Sequence, residues 1–241
     1  MAALLLGFTL TGYLLGGERR SPLAEVVVEA PLGSRTKLQL PDGSTVWLNA
    51  GSALRYPQRF GQGSRRVTLS GEGYFEVAHN AKLPFVVQAA ELRVAVLGTK
   101  FNLRSYADDA EAAVSLIEGR VEVSSALSEA DKVVLLPNRQ ALLHKESGRL
   151  RVADIQARHT SEWTKGYLFF DEELLPDIAK AIERSYNVHI RLAHDSLSTM
   201  RFYGSFVRGE QTIEQVMDLL VSTNKVAYRI EGKNIELKLR R

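Results

Sequence analysis

From Val26 to about Val152, apolar and polar residues alternate in short runs, the period-two pattern of half-buried β-strands. Runs such as "TKLQL", "STVWLN", "RRVTL", "YFEVA", "LRVAVLG", "FNLRSY", "RVEVSS" and "RQALLH" recur at close spacing. Between runs lie turn formers: Pro41-Asp42-Gly43, Asn49-Ala50-Gly51-Ser52, Glu118-Gly119 and Pro137-Asn138. Pro presets φ, Asn and Asp bond to their own backbone, and Gly accepts positive φ. Roughly a dozen strands without a helical period predict an all-β unit over residues 22–153, built as a sandwich, a barrel or a solenoid-like stack.

The period changes after residue 153. Residues 154–166 form a short polar segment that reads as a linker or a single helical turn, and residues 167–241 take the order of a βαβ-βαββ module. "YLFF" starts it as a strand. Leu174, Leu175, Ile178 and Ile182 recur at helical spacing, with Pro176 tolerable in the first turn, and "NVHIRL" returns as a strand. "MRFYGSFV" opens the second half; Thr212 with Gln215 has the form of a capping box ahead of Ile213, Val216, Met217 and Leu220. "KVAYRI" and "NIELKL" complete the module as strands. The fold class is therefore mainly β with a small α+β domain.

Candidate chemistry is thin. In "GEGYFEVA" the carboxylates Glu72 and Glu76 share a strand face, but four residues at about 3.3 Å each put them roughly 13 Å apart, beyond the separation of a glycosidase pair. His189 and His194 lack a third ligand for a metal, and Arg65-Arg66 reads as a solvated strand end. No phosphate loop, nucleophile elbow or zinc-protease motif occurs. No catalytic residue, cofactor site or metal site emerges, and the chain reads as a non-enzyme.

Composition narrows the class. An apolar content of 45 % is enough for real cores, while 31 Lys+Arg against 28 Asp+Glu leaves no basic face for nucleic acid. The chain has no cysteine, which excludes disulfides and thiol chemistry. Ala2 to Gly17 carries no charged side chain; with Met1 it extends roughly 25 Å as a helix, near the lower limit for a bilayer. Residues 1–17 are thus expected to be a transmembrane anchor, a signal-peptide core and a buried segment being the other readings. Arg19-Arg20, taken alone, favours a cytoplasmic location for the chain beyond it.

Four ordered motifs, "LPDGSTVWLNAGSALRYP", "RRVTLSGEGYFEVAHNAKLPFVV", "VLGTKFNLRSY" and "LIEGRVEV", closely resemble the periplasmic domain of FecR-family anti-sigma regulators. The run from "YLFF" to "IELKL" is similar to the C-terminal domain of these proteins in bacteria of the Bacteroides type, itself like the secretin and TonB short N-terminal domain. Together the resemblance covers about residues 30–240. It implies a single-pass inner-membrane protein with the bulk of the chain in the periplasm, against the hint from Arg19-Arg20. In that picture the periplasmic part binds the N-terminal signalling domain of a TonB-dependent outer-membrane receptor. An envelope protease cuts the regulator, and an extracytoplasmic-function (ECF) sigma factor is released from a cytoplasmic region that has no counterpart ahead of the apolar segment.

The resemblance also implies structural roles at signature positions. Asp42, Gly43, Gly71, Gly98 and Gly119 would shape turns and Trp47, Leu48, Phe75, Val77 and Phe101 would pack, while Asn49, Glu72, Thr99 and Asn102 complete the signature. Partner recognition is expected by strand addition along "RFYGSFV", where Phe202 and Phe206 lie on one side, Tyr203 and Ser205 on the other, and Gly204 admits a close backbone. Burial of the two phenylalanines on the helices is the competing reading. An envelope assembly module and a carbohydrate-binding β-domain are the alternative functions.

Overall fold

The computed structural model describes residues 24–125, 132–223 and 225–240. The expected membrane segment, residues 1–17, lies outside them, and no helix among the described residues is long and apolar enough to cross a membrane.

Strand Arg65–Glu76 organises the first unit. Its first half pairs with Ser52–Pro57 and, in parallel, with Phe85–Gln88; its second half pairs with Thr45–Leu48 and Lys100–Ser105. The runs "RRVTL" and "YFEVA" are thus one strand, bent at Gly71 rather than broken there. Gly71 has φ of +93°, and a Cβ on it would sit 2.4 Å from Ser52 Oγ and 2.9 Å from Ser52 Cα. Only glycine meets both the backbone and the space at this bend.

Either side of the bend the sheet grows outward. One wing adds Leu92–Val96, Val121–Ser125 and Lys132–Leu135; the other adds Glu111–Glu118, Arg139–His144 and Leu150–Asp154, giving 13 strands in one curled sheet. Both wings contribute to a single apolar core, and their strands pair antiparallel except for Arg65–Glu76 with Phe85–Gln88, so the sheet curls over itself without the parallel coil-on-coil pairing of a solenoid stack. At its centre Phe75 stacks on Phe101 with ring centroids 4.9 Å apart, and Phe85 meets Phe75 edge-on at 6.2 Å.

Arg65 corrects the expectation of a solvated strand end. It is 3 % exposed, pairs with Asp42 at 3.1 Å and donates to the carbonyls of Ala78 and Leu83. A buried guanidinium is tolerated only when its donors are met in this way. Asp42 in turn accepts from the Ser44 backbone and hydroxyl, so this ion pair pins the turn at Gly43 to the start of the long strand.

The second unit has the expected order. Tyr167–Leu174 pairs antiparallel with Arg201–Val207 as a two-stranded ribbon, and His189–Leu192, Asn234–Leu239 and Val226–Glu231 form a three-stranded sheet. Helices Leu175–Tyr186 and Ile213–Ser222 bury Leu175, Ile178 and Ile182, and Val216, Met217 and Leu220, in a separate core. Thr212 and Gln215 make both bonds of the capping box. Between the two units, residues 157–165 form a 3-10 stretch ending at Gly166. Its Trp163 is buried.

Candidate partner-binding site

The outer face of the second wing is where the units meet. Glu72 is 9 % exposed; its two carboxylate oxygens accept from Asn49 Nδ2 and Asn102 Nδ2, each at 2.8 Å. Asn102 Oδ1 then accepts from the indole N–H of Trp163 at 3.1 Å. Asn49 spends its own oxygen on the backbone N–H of Ala50. A carboxylate under a covering layer needs such donors, and the strand face supplies two while the 3-10 stretch holds the third link. Four polar side chains from distant segments therefore form one connected network.

Further contacts tie the units together. Arg184 on helix Leu175–Tyr186 pairs with Asp108 and Asp109, each at 3.2 Å, and lies 3.9 Å over the Tyr106 ring. Gly33 N–H donates to the Arg184 carbonyl at 2.8 Å, and Arg35 donates to the Trp163 carbonyl. The remaining space between the units is a cleft of about 820 Å³. Asn49, Glu72 and Asn102 line it from the sheet, His159 and Trp163 from the 3-10 stretch, and Tyr167 to Asp171 with Glu173 from the ribbon.

Charge inside the cleft is unevenly matched. Arg104 faces Asp109 at 3.4 Å. Burial works against the charge of Arg104, but Glu72, Asp109, Glu173 and Asp177 hold its pKa above the ordinary value. Glu173 shows the reverse balance: burial pushes its pKa up, Arg104 pulls it down, and Asp177 pushes it up again. Among the described residues neither Glu173 nor Asp177 has a cation within ion-pairing distance.

The expected contact strand behaves as two faces. Phe202 and Phe206 are 4 % exposed and belong to the core of the second unit, which is the competing reading of that strand. Tyr203, at 65 % exposure, and Ser205 face out. A Cβ at Gly204 would touch only the Phe206 ring, at 3.9 Å, so no close backbone approach in this chain requires the glycine. The strand pairs on one side only, which leaves its second edge open among the described residues.

Other signature positions divide by role. Leu48, Phe75, Val77 and Phe101 are core, Asp42, Gly43, Gly98 and Gly119 lie at bends, and Thr99 donates to the Arg120 carbonyl at 3.0 Å. Trp47 sits half-buried on the outer face, tilted against Tyr74 at 5.3 Å with Lys37 over its ring. The polar signature residues Asn49, Glu72 and Asn102 converge on one network. Arg184, which helps complete the junction, carried no motif; Trp163, a lone tryptophan in a polar stretch, reads from the sequence as packing at a sheet edge or domain junction rather than on a sugar, and it is buried there with its indole N–H on Asn102.

Comparison with known proteins agrees with this architecture. Residues 26–122 match the family described as FecR protein, and residues 167–237 match that described as FecR, C-terminal. Two crystal structures of a candidate anti-sigma factor from Parabacteroides distasonis superpose on the chain. One is 31 % identical with a TM-score of 0.81, covering 88 % of this chain and 98 % of that one. The other is 30 % identical with a TM-score of 0.82, covering 90 % and 100 %. No curated protein matches the chain.

Proposed function

Because this chain belongs to the FecR family, we propose that it is the envelope-side part of an anti-sigma regulator, working by protein–protein binding rather than by turnover. The observation that carries this reading is the ordered pair of FecR domains, residues 26–122 and 167–237, in a chain that superposes on 98 % of a candidate anti-sigma factor. In this reading the uncharged segment from Ala2 to Gly17 anchors the chain in the inner membrane, and the described residues stand in the periplasm. The second unit receives the N-terminal signalling domain of a TonB-dependent receptor. Its arrival leads, through envelope proteolysis, to release of an ECF sigma factor held on the cytoplasmic side.

Strand addition is the proposed mode of contact. The ribbon strand Arg201–Val207 has an open edge, and its outward Tyr203 and Ser205 offer alternate side-chain contacts, while Phe202 and Phe206 hold the strand rigidly on the helices. The test is capture from detergent extracts of the source envelope on the immobilised full chain, with mass spectrometry of the retained proteins. Retention of a TonB-dependent receptor bearing an extra N-terminal domain supports the reading. Retention of nothing but further copies of the chain moves the weight to an envelope assembly module.

A further inference from the structure

The interdomain cleft has properties that the anti-sigma reading does not use. Its volume of about 820 Å³ falls within the range of ligand sites, about 300–1,000 Å³. Its walls carry six carboxylates against three guanidinium groups; among the described residues Glu111 and Asp154 are ion-paired and Glu72 is met by two amides, while Asp171, Glu173 and Asp177 have no ion-pair partner. Asp177 sits in the first turn of its helix, where the helix dipole favours a negative charge; Glu173 has no such support.

The backbone on the cleft wall is also unspent. Tyr167–Leu174 pairs with Arg201–Val207 on one side and with no strand on the other, and Leu150–Asp154 ends the large sheet in the same way. Residues of both strands line the cleft. Tyr167 and Phe169 stand 43 % and 44 % exposed beside it, large apolar surfaces for a soluble face to leave open.

We propose that this cleft binds an extended basic segment of a partner protein, whose backbone pairs with the open edge of Tyr167–Leu174 and whose Lys or Arg side chain meets Glu173 and Asp177. Each feature selects part of that occupant. Unpaired strand edges call for a chain with main-chain donors and acceptors; the exposed rings take the alternate apolar side chains; the unmatched carboxylates take the cation. A sugar could donate hydroxyls to the carboxylates but would bring neither a cation nor main-chain groups for the open edge, and a small polycation would leave the edge and the rings unused. The proposal stands beside the receptor reading and does not depend on it.

The experiment titrates the full chain, held in nanodiscs, with a fluorescent blocked peptide of alternating valine and lysine, and with its valine–glutamate counterpart. The basic peptide is expected to bind, the acidic one to bind at least tenfold more weakly, and Glu173→Gln with Asp177→Asn to weaken the basic peptide at least tenfold. Tyr203→Ala, on the ribbon's other strand, should leave its affinity within twofold. Amide exchange at residues 167–171 should slow on peptide addition, which a side-chain-only contact does not produce. Equal binding of both peptides, displacement by spermidine at comparable concentration, or self-association that accounts for the signal would each overturn the proposal. Receptor capture measured on the same preparation separates the two readings, since either can fail while the other holds.

Discussion

The network at Glu72 makes a quantitative prediction. Replacing Glu72 by Gln keeps the shape but turns one acceptor into a donor, and both orientations of the new amide are frustrated. Toward Asn102 the new NH₂ faces the Asn102 NH₂, whose oxygen is already taken by Trp163 at 3.1 Å; toward Asn49 it faces an NH₂ whose partner oxygen is taken by Ala50 at 2.9 Å. One charge-assisted bond is lost, about 1.5–3 kcal/mol, and a pair of buried donors is left opposed, about 1–3 kcal/mol. The expected cost is therefore roughly 3 kcal/mol, or a fall of about 6–12 °C in melting temperature for a chain of this length.

The pathway of that cost is testable as well as its size. Trp163→Phe removes the indole donor and should cost about 1–2 kcal/mol alone by orphaning Asn102 Oδ1. In the double variant Asn102 is free to rotate its amide and accept from the glutamine, so the combined loss should fall short of the sum by about 1 kcal/mol or more. The measurement is thermal unfolding of the four proteins of the cycle by circular dichroism, with Glu72→Gln, Trp163→Phe and their combination compared with wild type. Additivity to within about 0.5 kcal/mol would show that Glu72 and Trp163 are not joined through Asn102 and refute the reasoning.

Four further outcomes rest on single positions. Gly71→Ala should cost about 3 kcal/mol, combining positive-φ strain with the collision on Ser52, whereas Gly63→Ala, at φ of +91° with nothing within 4 Å of the new methyl, should cost only about 1 kcal/mol in the same unfolding assay. Burial raises the folded pKa of Glu173 above 4.5, so its protonated form is the stabilising one. Wild type should accordingly lose stability relative to Glu173→Gln as pH rises from about 4.5 through that raised value, and the two should run parallel below it. Thr212→Ala should cost about 1 kcal/mol through loss of the capping box. Ser205→Pro removes an N–H on the open edge, since Val207 two residues on turns its N–H away from Tyr167–Leu174 to Gln211; it should leave melting within a few degrees and weaken receptor-domain binding at least tenfold by calorimetry, and unchanged binding would discard strand addition at that edge.

The strands, the two helices and the capping box were legible in the sequence because each is written in local periodicity. Val46 and Leu48, or Ile178 and Ile182, announce a buried face at spacings of two and four, and they are buried. The junction was illegible for the converse reason. Glu72 and Asn102 occupy the polar phase of their strands and Asn49 the turn after its strand, positions that read as solvent-facing until a segment sixty or more residues further on covers them. Arg65 misled in the same way: a charge at a strand end looks solvated unless its partners Asp42 and Leu83 are known to converge on it. The bend at Gly71 was hidden because a glycine that redirects a strand and one that ends it have the same local signature.

The character of the junction bears on how a signal could pass through this protein. The two apolar cores have no member in common, and the links described between the units are polar: Trp163 to Asn102, Arg184 to Asp108 and Asp109, Gly33 to the Arg184 carbonyl. Polar groups at such a junction can re-pair with water when they part, so separating the units exposes far less apolar surface than unfolding either one. An occupant that touches both walls of the cleft binds only while the units are docked, and it shifts the docking equilibrium by its differential affinity for that arrangement. Trp163→Phe then loosens docking without touching the acidic pair at Glu173 and Asp177, and it should weaken the basic peptide in proportion to the docking lost. A peptide affinity indifferent to Trp163 would place the whole binding site on the ribbon and its helix, and would remove the cleft from any route between the two units.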